Sequence, residues 1–453
     1  MAGIYRIAED QVAGALRALA ESGGTVRTEE SWRQDRMTAL VLGTAPPGGG
    51  GGGGALLPIS QRTLSLGAAA RNVAGGLGGG LAAGWISSNQ FSARMGTRRQ
   101  SRATVGAWAE LLPELDLLVA VHREDTSLVG RWYAQTGFHG VMAMRCLYLE
   151  MDAPPASVPG RLLMRLIGPE QVAAWAPQMA AVHHDVFGNY GGTVRRFAAP
   201  DTPSGGERGS NYWGPALTAH FYKDHYQFQI LGLWSGPSSY ALPQNSSRPE
   251  AAASISGEPV GTLMGYAIVG WSGWHSKRPR MDILELATRQ WDRGVAEELI
   301  ATTCQLAWSK QVREVRAVLS VHDPYRPHLI HTGFDDRWGY VMVAKWLQAQ
   351  RYLDRLAAGW AAGVPGVRFQ ISVPGQVDLN LPMGADAAGG GERIVRLQMN
   401  EATATRLLLG RLELPAALRE GQVLALGGRE GDLARLAAVL PWTPWIFHMV
   451  DYI

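Results

Sequence analysis

Lysine is nearly missing from this chain of 453 residues. Only Lys223, Lys277, Lys310 and Lys345 occur, and the other 38 of the 42 basic residues are arginine. Together with 56 glycines this reads as a GC-rich coding bias, so the position of an arginine carries information and its number does not. Cysteine is equally scarce. Cys146 and Cys304 stand far apart, which excludes a cysteine metal site and a disulfide framework and suits a reducing compartment. No apolar run approaches the ~20 residues that a bilayer-spanning helix needs. No long basic block exists and the net charge is only +3, which argues against a general nucleic-acid binder. The opening Met1–Asp10 carries charge early and has no apolar core, so no secretory leader is expected and the expected setting is cytoplasmic. The pairs His183–His184 and His328 with His331 have no neighbouring cysteine or carboxylate set at ligand spacing, so no metal is expected.

What is present is a globular composition, 46% hydrophobic and 18% charged, on a length that suits roughly three domains of about 150 residues each. The first division is expected at Asp152–Pro159, with its three prolines in a short polar stretch. Residues 1–150, 151–345 and 346–453 are read as the three domains. Two glycine-rich stretches, at 45–55 and 75–80, are expected to be loops between strands. The segment Ala199–Pro259 mixes Pro, Ser and Gly with an aromatic island and reads as a long insertion with a buried middle. Strands are expected at Ala39–Gly43, within Leu81–Arg94, at Leu115–Val121 and at His139–Leu149, with helices at Gln11–Ala20, Ala103–Leu112 and Thr126–Thr136. Alternating apolar strands and helices argue an α/β layered domain. A similar order recurs in the second part. Strands are expected at Arg161–Ile167, Leu263–Gly270, Met281–Ala287, Val315–Val321 and Gly339–Ala344, with helices at Pro169–Val182 and Trp291–Val312. Each half closes on the same pattern, Tyr133-Ala134-Gln135-Thr136-Gly137-Phe138 in one and Leu329-Ile330-His331-Thr332-Gly333-Phe334 in the other. From Trp346 onward, alternating strands (Val367–Leu381, Glu392–Met399) and helices (Trp346–Ala362, Glu401–Leu409, Gly431–Leu440) indicate a smaller α+β domain.

The segment Arg98-Arg99-Gln100-Ser101-Arg102-Ala103-Thr104 precedes a helix and then an apolar strand. A turn of outward backbone amides at a helix start suits phosphate, and the arginines add charge for a polyanionic ligand. Farther along stands Tyr133-x-x-x-Gly137-Phe138. This ordered set resembles the GNAT acetyltransferase superfamily, whose pyrophosphate loop runs Arg/Gln-x-x-Gly-x-Gly/Ala. Arg98-x-x-Ser101-x-Ala103 matches it, with Ser101 where glycine is usual. In the second half the corresponding Ala287–Gly294 loses the spacing, and Asp292 sets a negative charge where a pyrophosphate would lie.

Two such halves followed by a small α+β domain resemble the Eis-like (enhanced intracellular survival) family. The resemblance implies tandem GNAT folds, each a mixed sheet flanked by helices, and a sterol-carrier-protein-like third domain. It implies acetyl-CoA as co-substrate, held by Phe91, Ala93, Arg98, Arg99, Ser101, Arg102, Ala103 and Thr104, while the lost spacing and Asp292 lead to the expectation of no cofactor in the second half. Tyr133 would be the general acid and the terminal carboxylate of Ile453 the general base, with Asp451 as the fallback. The acceptor would be a small-molecule or peptide amine of aminoglycoside, polyamine or lysine type. The assembly would be a homo-oligomer, a hexamer by analogy, with no nucleic acid or membrane among its partners. Two other readings stay open at this point: a non-catalytic scaffold whose cofactor loop is weakened by Ser101, and a lipid-binding role of residues 363–453.

Overall fold

The computed structural model describes residues 3–6, 13–14, 37–43, 55–67, 80–86, 107–124, 127–156, 162–168, 171–194, 227–235, 261–272, 279–359, 367–383 and 393–449. In chain order the strands are β1 (Gly3–Arg6), β2 (Met37–Gly43), β3 (Ala55–Leu66), β4 (Gly80–Ile86), β5 (Leu117–Arg123), β6 (His139–Glu150), β7 (Leu163–Ile167), β8 (Gly191–Val194), β9 (Gln227–Ser235), β10 (Thr262–Ser272), β11 (Arg280–Thr288), β12 (Glu314–Ser320), β13 (Asp335–Trp346), β14 (Val367–Ser372), β15 (Leu379–Met383), β16 (Arg393–Gln398) and β17 (Leu424–Leu426). The helices are α1 (Ala107–Leu111), α2 (Ser127–Gln135), α3 (Val172–Phe187), α4 (Arg293–Ser309), α5 (Arg326–His331), α6 (Ala349–Gly359), α7 (Glu401–Leu408), α8 (Leu414–Arg419) and α9 (Glu430–Val439). The chain forms two compact units. The first holds residues 1–143, 189–195 and 340–446, and the second holds 144–188, 196–339 and 447–453, so two of the five passages between them fall inside β6 and inside β13.

In the first unit β1, β2, β3 and β4 form an antiparallel meander. β5 then adds parallel to β4, from Ala83↔Leu117 to Ile86↔Ala120. Residues Tyr340–Trp346 of β13 close the other side of β5 in antiparallel pairing. β5 begins Leu-Leu-Val-Ala-Val and is buried at all five of these positions, as a strand covered on both faces must be. Trp108 on α1, Tyr133 on α2, Phe138, Ile59 and Leu118 share one apolar cluster. Burying a large side chain of this kind stabilises by roughly 1.5–3 kcal/mol. Just before β5, Asp116 is wholly buried and fastens five groups. Its carboxylate accepts from the Ala82 amide at 3.0 Å, Arg351 at 2.8 Å and Arg355 at 2.7 Å, and its carbonyl accepts from the Leu347 and Gln348 amides at 2.9 and 3.1 Å. The same unit carries a separate four-stranded sheet in the order β15-β14-β16-β17. β14 and β16 bury every second residue, the pattern of a sheet with one face on a core and one in water.

In the second unit β7, β9, β10 and β11 are antiparallel neighbours, β12 adds parallel to β11, and the Met144–Glu150 part of β6 pairs antiparallel with β12. The parallel register runs only from Arg280↔Glu314 to Ile283↔Ala317. Leu284 is the next residue, and it is an extra one: Ile268 of β10 faces Glu285 while Val269 faces Ile283. A bulge bends its strand, so β11 leaves β12 at this point. The region read as an insertion holds β9, whose Gln-Phe-Gln-Ile-Leu-Gly-Leu-Trp run fills a place in the sheet between β7 and β10.

Candidate active site

Where a strand pairs with a parallel neighbour and the chain then turns into a helix, ligands gather at the carboxyl ends of the strands. In the first unit that place is the end of β4 and β5. The segment that carries Phe91, Ala93, Arg98, Arg99, Ser101, Arg102, Ala103 and Thr104 joins β4 to α1 in the chain and lies outside the described residues, as do Asp451 and Ile453. The helix expected from Ala103 is described from Ala107.

Tyr133 sits on α2 and is wholly buried. Its ring stacks on the imidazole of His122, with centroids 5.9 Å apart and planes at 21°. Trp132 and Phe138 meet it edge-on at 5.2 and 5.0 Å. His122 was not among the expected site residues. It stands near the carboxyl end of β5, where the apolar run gives way to a polar side chain, and Nδ1 lies 2.8 Å from the Arg123 carbonyl oxygen. That break in β5 is the signal that could have found it. Gly130 allows the arrangement, since a Cβ there would lie 3.0 Å from His122 Cε1. The helix ends at Gly137, whose φ of +80° is a conformation that glycine adopts without a Cβ penalty. Behind the helix end, buried Lys345 donates to the Thr136 carbonyl at 2.8 Å. Burial lowers the pKa of this ammonium to about 8, and the Glu401 carboxylate opposes that shift.

The equivalent place in the second unit is built differently. After β11 the chain passes through Gln290 and Trp291 with φ of 52° and 58°. Left-handed backbone at two consecutive residues other than glycine is strained. Asp292 then caps α4, its Oδ1 accepting from the Val295 amide at 3.1 Å. A carboxylate thus occupies the helix start that would otherwise receive an anion. The gap between β11 and β12 is bridged as well. The hydroxyl of Tyr325, which follows β12, accepts from the Thr288 amide at 2.8 Å and lies 3.0 Å from Thr288 Oγ1. Trp291 packs against this Tyr325 ring and against Phe187.

A third cluster also lies within the second unit. His183 of α3, Glu285 of β11 and His448 near the chain end bring one ligand-type atom each to within 4.8 Å of one another. The spacing of His183 and His184 alone could not reveal it, because its other members lie more than a hundred residues away. His328 and His331 are on α5 and take no part in that cluster.

No family model matches the chain, and no curated protein matches it. Solved structures do. A conserved protein of Enterococcus faecalis V583 described as a probable N-acyltransferase aligns over 99% of both chains, with a TM-score of 0.58 and 10% identity. A GCN5-related N-acetyltransferase of Anabaena variabilis ATCC 29413 aligns over 98% of this chain and 100% of its own, with a TM-score of 0.56 and 11% identity. One from Kribbella flavida aligns over 100% and 99%, with a TM-score of 0.53 and 15% identity. At such identities the likeness is one of fold. The chain has the mixed α/β fold of the GCN5-related N-acetyltransferases, with its antiparallel meander and parallel strand pair built once in each unit.

Proposed function

We propose that this chain is an acetyl-CoA-dependent N-acetyltransferase of the Eis-like type, transferring acetyl to a primary amine by direct attack. The supporting observation is the parallel pair β4–β5 with Tyr133 and His122 beside its carboxyl end, on a fold shared with GCN5-related N-acetyltransferases. In this reading residues 1–150 form the catalytic domain, 151–345 a second domain without cofactor, and 346–453 a sterol-carrier-like third domain, to which the separate β15-β14-β16-β17 sheet belongs. Phe91 and Ala93 offer backbone to the pantetheine amides. Arg98, Arg99 and Arg102 face the phosphates, with Ser101, Ala103 and Thr104 at the helix start, where charge-assisted bonds are roughly twice as strong as neutral ones.

Attack on a thioester requires one proton removed from the amine nitrogen and one delivered to the departing sulfur. Tyr133 delivers it from its phenol hydroxyl. The Ile453 carboxylate removes the other, with Asp451 as the fallback. The acceptor is an aminoglycoside-, polyamine- or lysine-like amine, and the protein is a cytoplasmic homo-oligomer, hexameric by analogy. The second unit takes no cofactor, because Asp292 and Tyr325 already occupy the bonding groups a pyrophosphate and a pantetheine would use. Among the described residues, a crevice lined by Leu66, Leu356, Leu408 and Val439 has room for about 20 Å³, one water and no acyl chain.

The test is release of free CoA from acetyl-CoA in the presence of a panel of amines. Amine-dependent release is the expected result; lipid copurifying without any release would overturn the reading.

A further inference from the structure

The second unit buries two imidazoles and a carboxylate together. His183, Glu285 and His448 are 5%, 2% and 2% exposed. They come from a helix, a strand and the segment near the chain end, so three remote parts of the sequence have been brought to one point. Their ligand-type atoms lie within 4.8 Å of one another. Taking a carboxylate out of water is costly unless a charge compensates it. A divalent cation does so, and two imidazoles with one carboxylate are a common donor set for zinc.

The surroundings fit the same assignment. Tyr266 donates its hydroxyl proton to Glu285 Oε1 at 2.5 Å, the outer hydrogen bond that fixes the plane of a ligating carboxylate. An ionised carboxylate has about four acceptor sites, so this bond and a metal bond are compatible. The Phe187 ring lies 5.0 Å from the His183 ring and 4.4 Å from that of His448 and packs against both imidazoles. Tetrahedral zinc at about 2.0–2.1 Å from its ligands sets them about 3.3 Å apart. The cluster needs only a small inward adjustment of side chains to reach that spacing.

We infer that His183, Glu285 and His448 form a buried site for one divalent transition-metal ion of the zinc class, with a water molecule completing its four ligands, which fastens the segment beginning at Phe447 to α3 and β11. Two neutral imidazoles and one carboxylate are the protein's ligands, and protons leave them as the ion enters. The test reads metal binding and not acetyl transfer, so failure of this assignment and failure of the acetyltransferase reading are distinguishable.

The experiment uses the full chain, stripped with a chelator and dialysed, then titrated with Zn²⁺ and separately with Co²⁺. About one zinc per chain should survive gel filtration by elemental mass spectrometry. The Co²⁺ form should show the visible absorption of a nitrogen- and oxygen-ligated low-coordinate centre. His448→Gln should abolish that spectrum, while His331→Gln, at an exposed position of α5, should leave it intact. Tyr266→Phe should weaken zinc about 10- to 100-fold by loosening the carboxylate. This variant keeps all three ligands, so it still tests the site if His448→Gln fails to fold. No zinc retained by the folded wild type, or equal zinc affinity in wild type and folded His448→Gln, would overturn the assignment.

Discussion

The two helix stops, Tyr133–Phe138 and Leu329–Phe334, have the same backbone and different side chains. In each, the threonine hydroxyl bonds the carbonyls four and three residues back, Trp132 and Tyr133 in one unit and His328 and Leu329 in the other. Each glycine has positive φ, 80° at Gly137 and 95° at Gly333. Each phenylalanine amide returns to the residue five positions earlier, Phe138 to Tyr133 at 2.9 Å and Phe334 to Leu329 at 3.1 Å. Yet where the first unit has a phenol against an imidazole, the second has Leu329. A hydroxyl near this place in the second unit comes instead from Tyr325, committed to bridging β11 and β12. A backbone can thus be repeated faithfully while the groups that would do chemistry are lost.

The largest expected effect separates these two positions. Tyr133→Phe should lower amine-dependent turnover about 10²- to 10⁴-fold, the usual contribution of a positioned acid, with CoA affinity nearly unchanged. Leu329→Ala should leave turnover per folded molecule alone and cost about 2–5 kcal/mol of stability, as truncation of a core leucine does. Steady-state kinetics beside urea unfolding reads both. An equal loss of turnover in the two variants would show that Tyr133 acts through packing alone.

Each parallel strand pair is also fastened by a buried aspartate, with partners of different exposure. In the second unit Asp282 pairs with Arg316, whose side chain is only 6% exposed. In the first, Asp116 pairs with Arg351 and Arg355, 39% and 49% exposed. Arg316→Met removes two bonds to a buried carboxylate and leaves it only Arg280, 3.2 Å away, and should cost about 1.5–3 kcal/mol. Arg351→Met leaves Arg355 in place and should cost about 1 kcal/mol or less, shrinking further in salt.

Two buried ionisable groups should give the units opposite responses to pH. Burial raises the Asp323 carboxyl in the second unit to about 7, against an opposing bond from the Tyr325 amide. Between its ordinary 3.8 and about 7, the folded state therefore holds a proton that the unfolded state has lost. Its contribution is fully present below 3.8 and disappears as pH rises through 7. Lys345 in the first unit runs the other way. Its pKa falls from 10.5 to about 8, so the unfolded state binds the extra proton, and stability is present above 10.5 and lost as pH falls through 8. The effects are of order 4 kcal/mol for Asp323 and 3 kcal/mol for Lys345. Asp323→Asn keeps an acceptor for the Tyr325 amide and should raise the urea midpoint at pH 8 relative to pH 5. Lys345→Met should flatten the profile between pH 8 and 10.

The strands and helix stops were legible because they rest on local chemistry. The Leu117–Val121 run could only be a strand covered on both faces, and Thr-Gly-Phe could only close a helix. β9 was hidden because its apolar run sits in a region of Pro, Ser and Gly that masked its ends. His122 was missed because one polar residue at the end of an apolar strand looks like ordinary solvation until the structure sets Tyr133 upon it. The grouping of His183 with Glu285 and His448 was illegible in principle, since residues that meet through the tertiary fold leave no spacing to read. The Asp292 conflict, in contrast, was readable as charge alone, and the structure adds that the carboxylate caps α4.

That cap provides the smallest effect and the sharpest use of the comparison. Asp292→Ala removes the acceptor for the Val295 amide and should cost about 1 kcal/mol. Asp292→Asn keeps an acceptor and should cost a few tenths, the part owed to the charge at the helix start. Neither change opens the second unit to acetyl-CoA, because Tyr325 still holds the Thr288 amide and the backbone at Gln290 and Trp291 stays left-handed. Calorimetric titration with CoA should therefore give one site per chain in wild type and in both variants. Arg98→Ala with Arg99→Ala should weaken that single site and reduce its sensitivity to salt. A second CoA against residues 288–296 of the wild type would show that the gap between β11 and β12 is open after all. A second site appearing only in Asp292→Asn would instead assign its closure to that one negative charge and leave Tyr325 with a purely structural part.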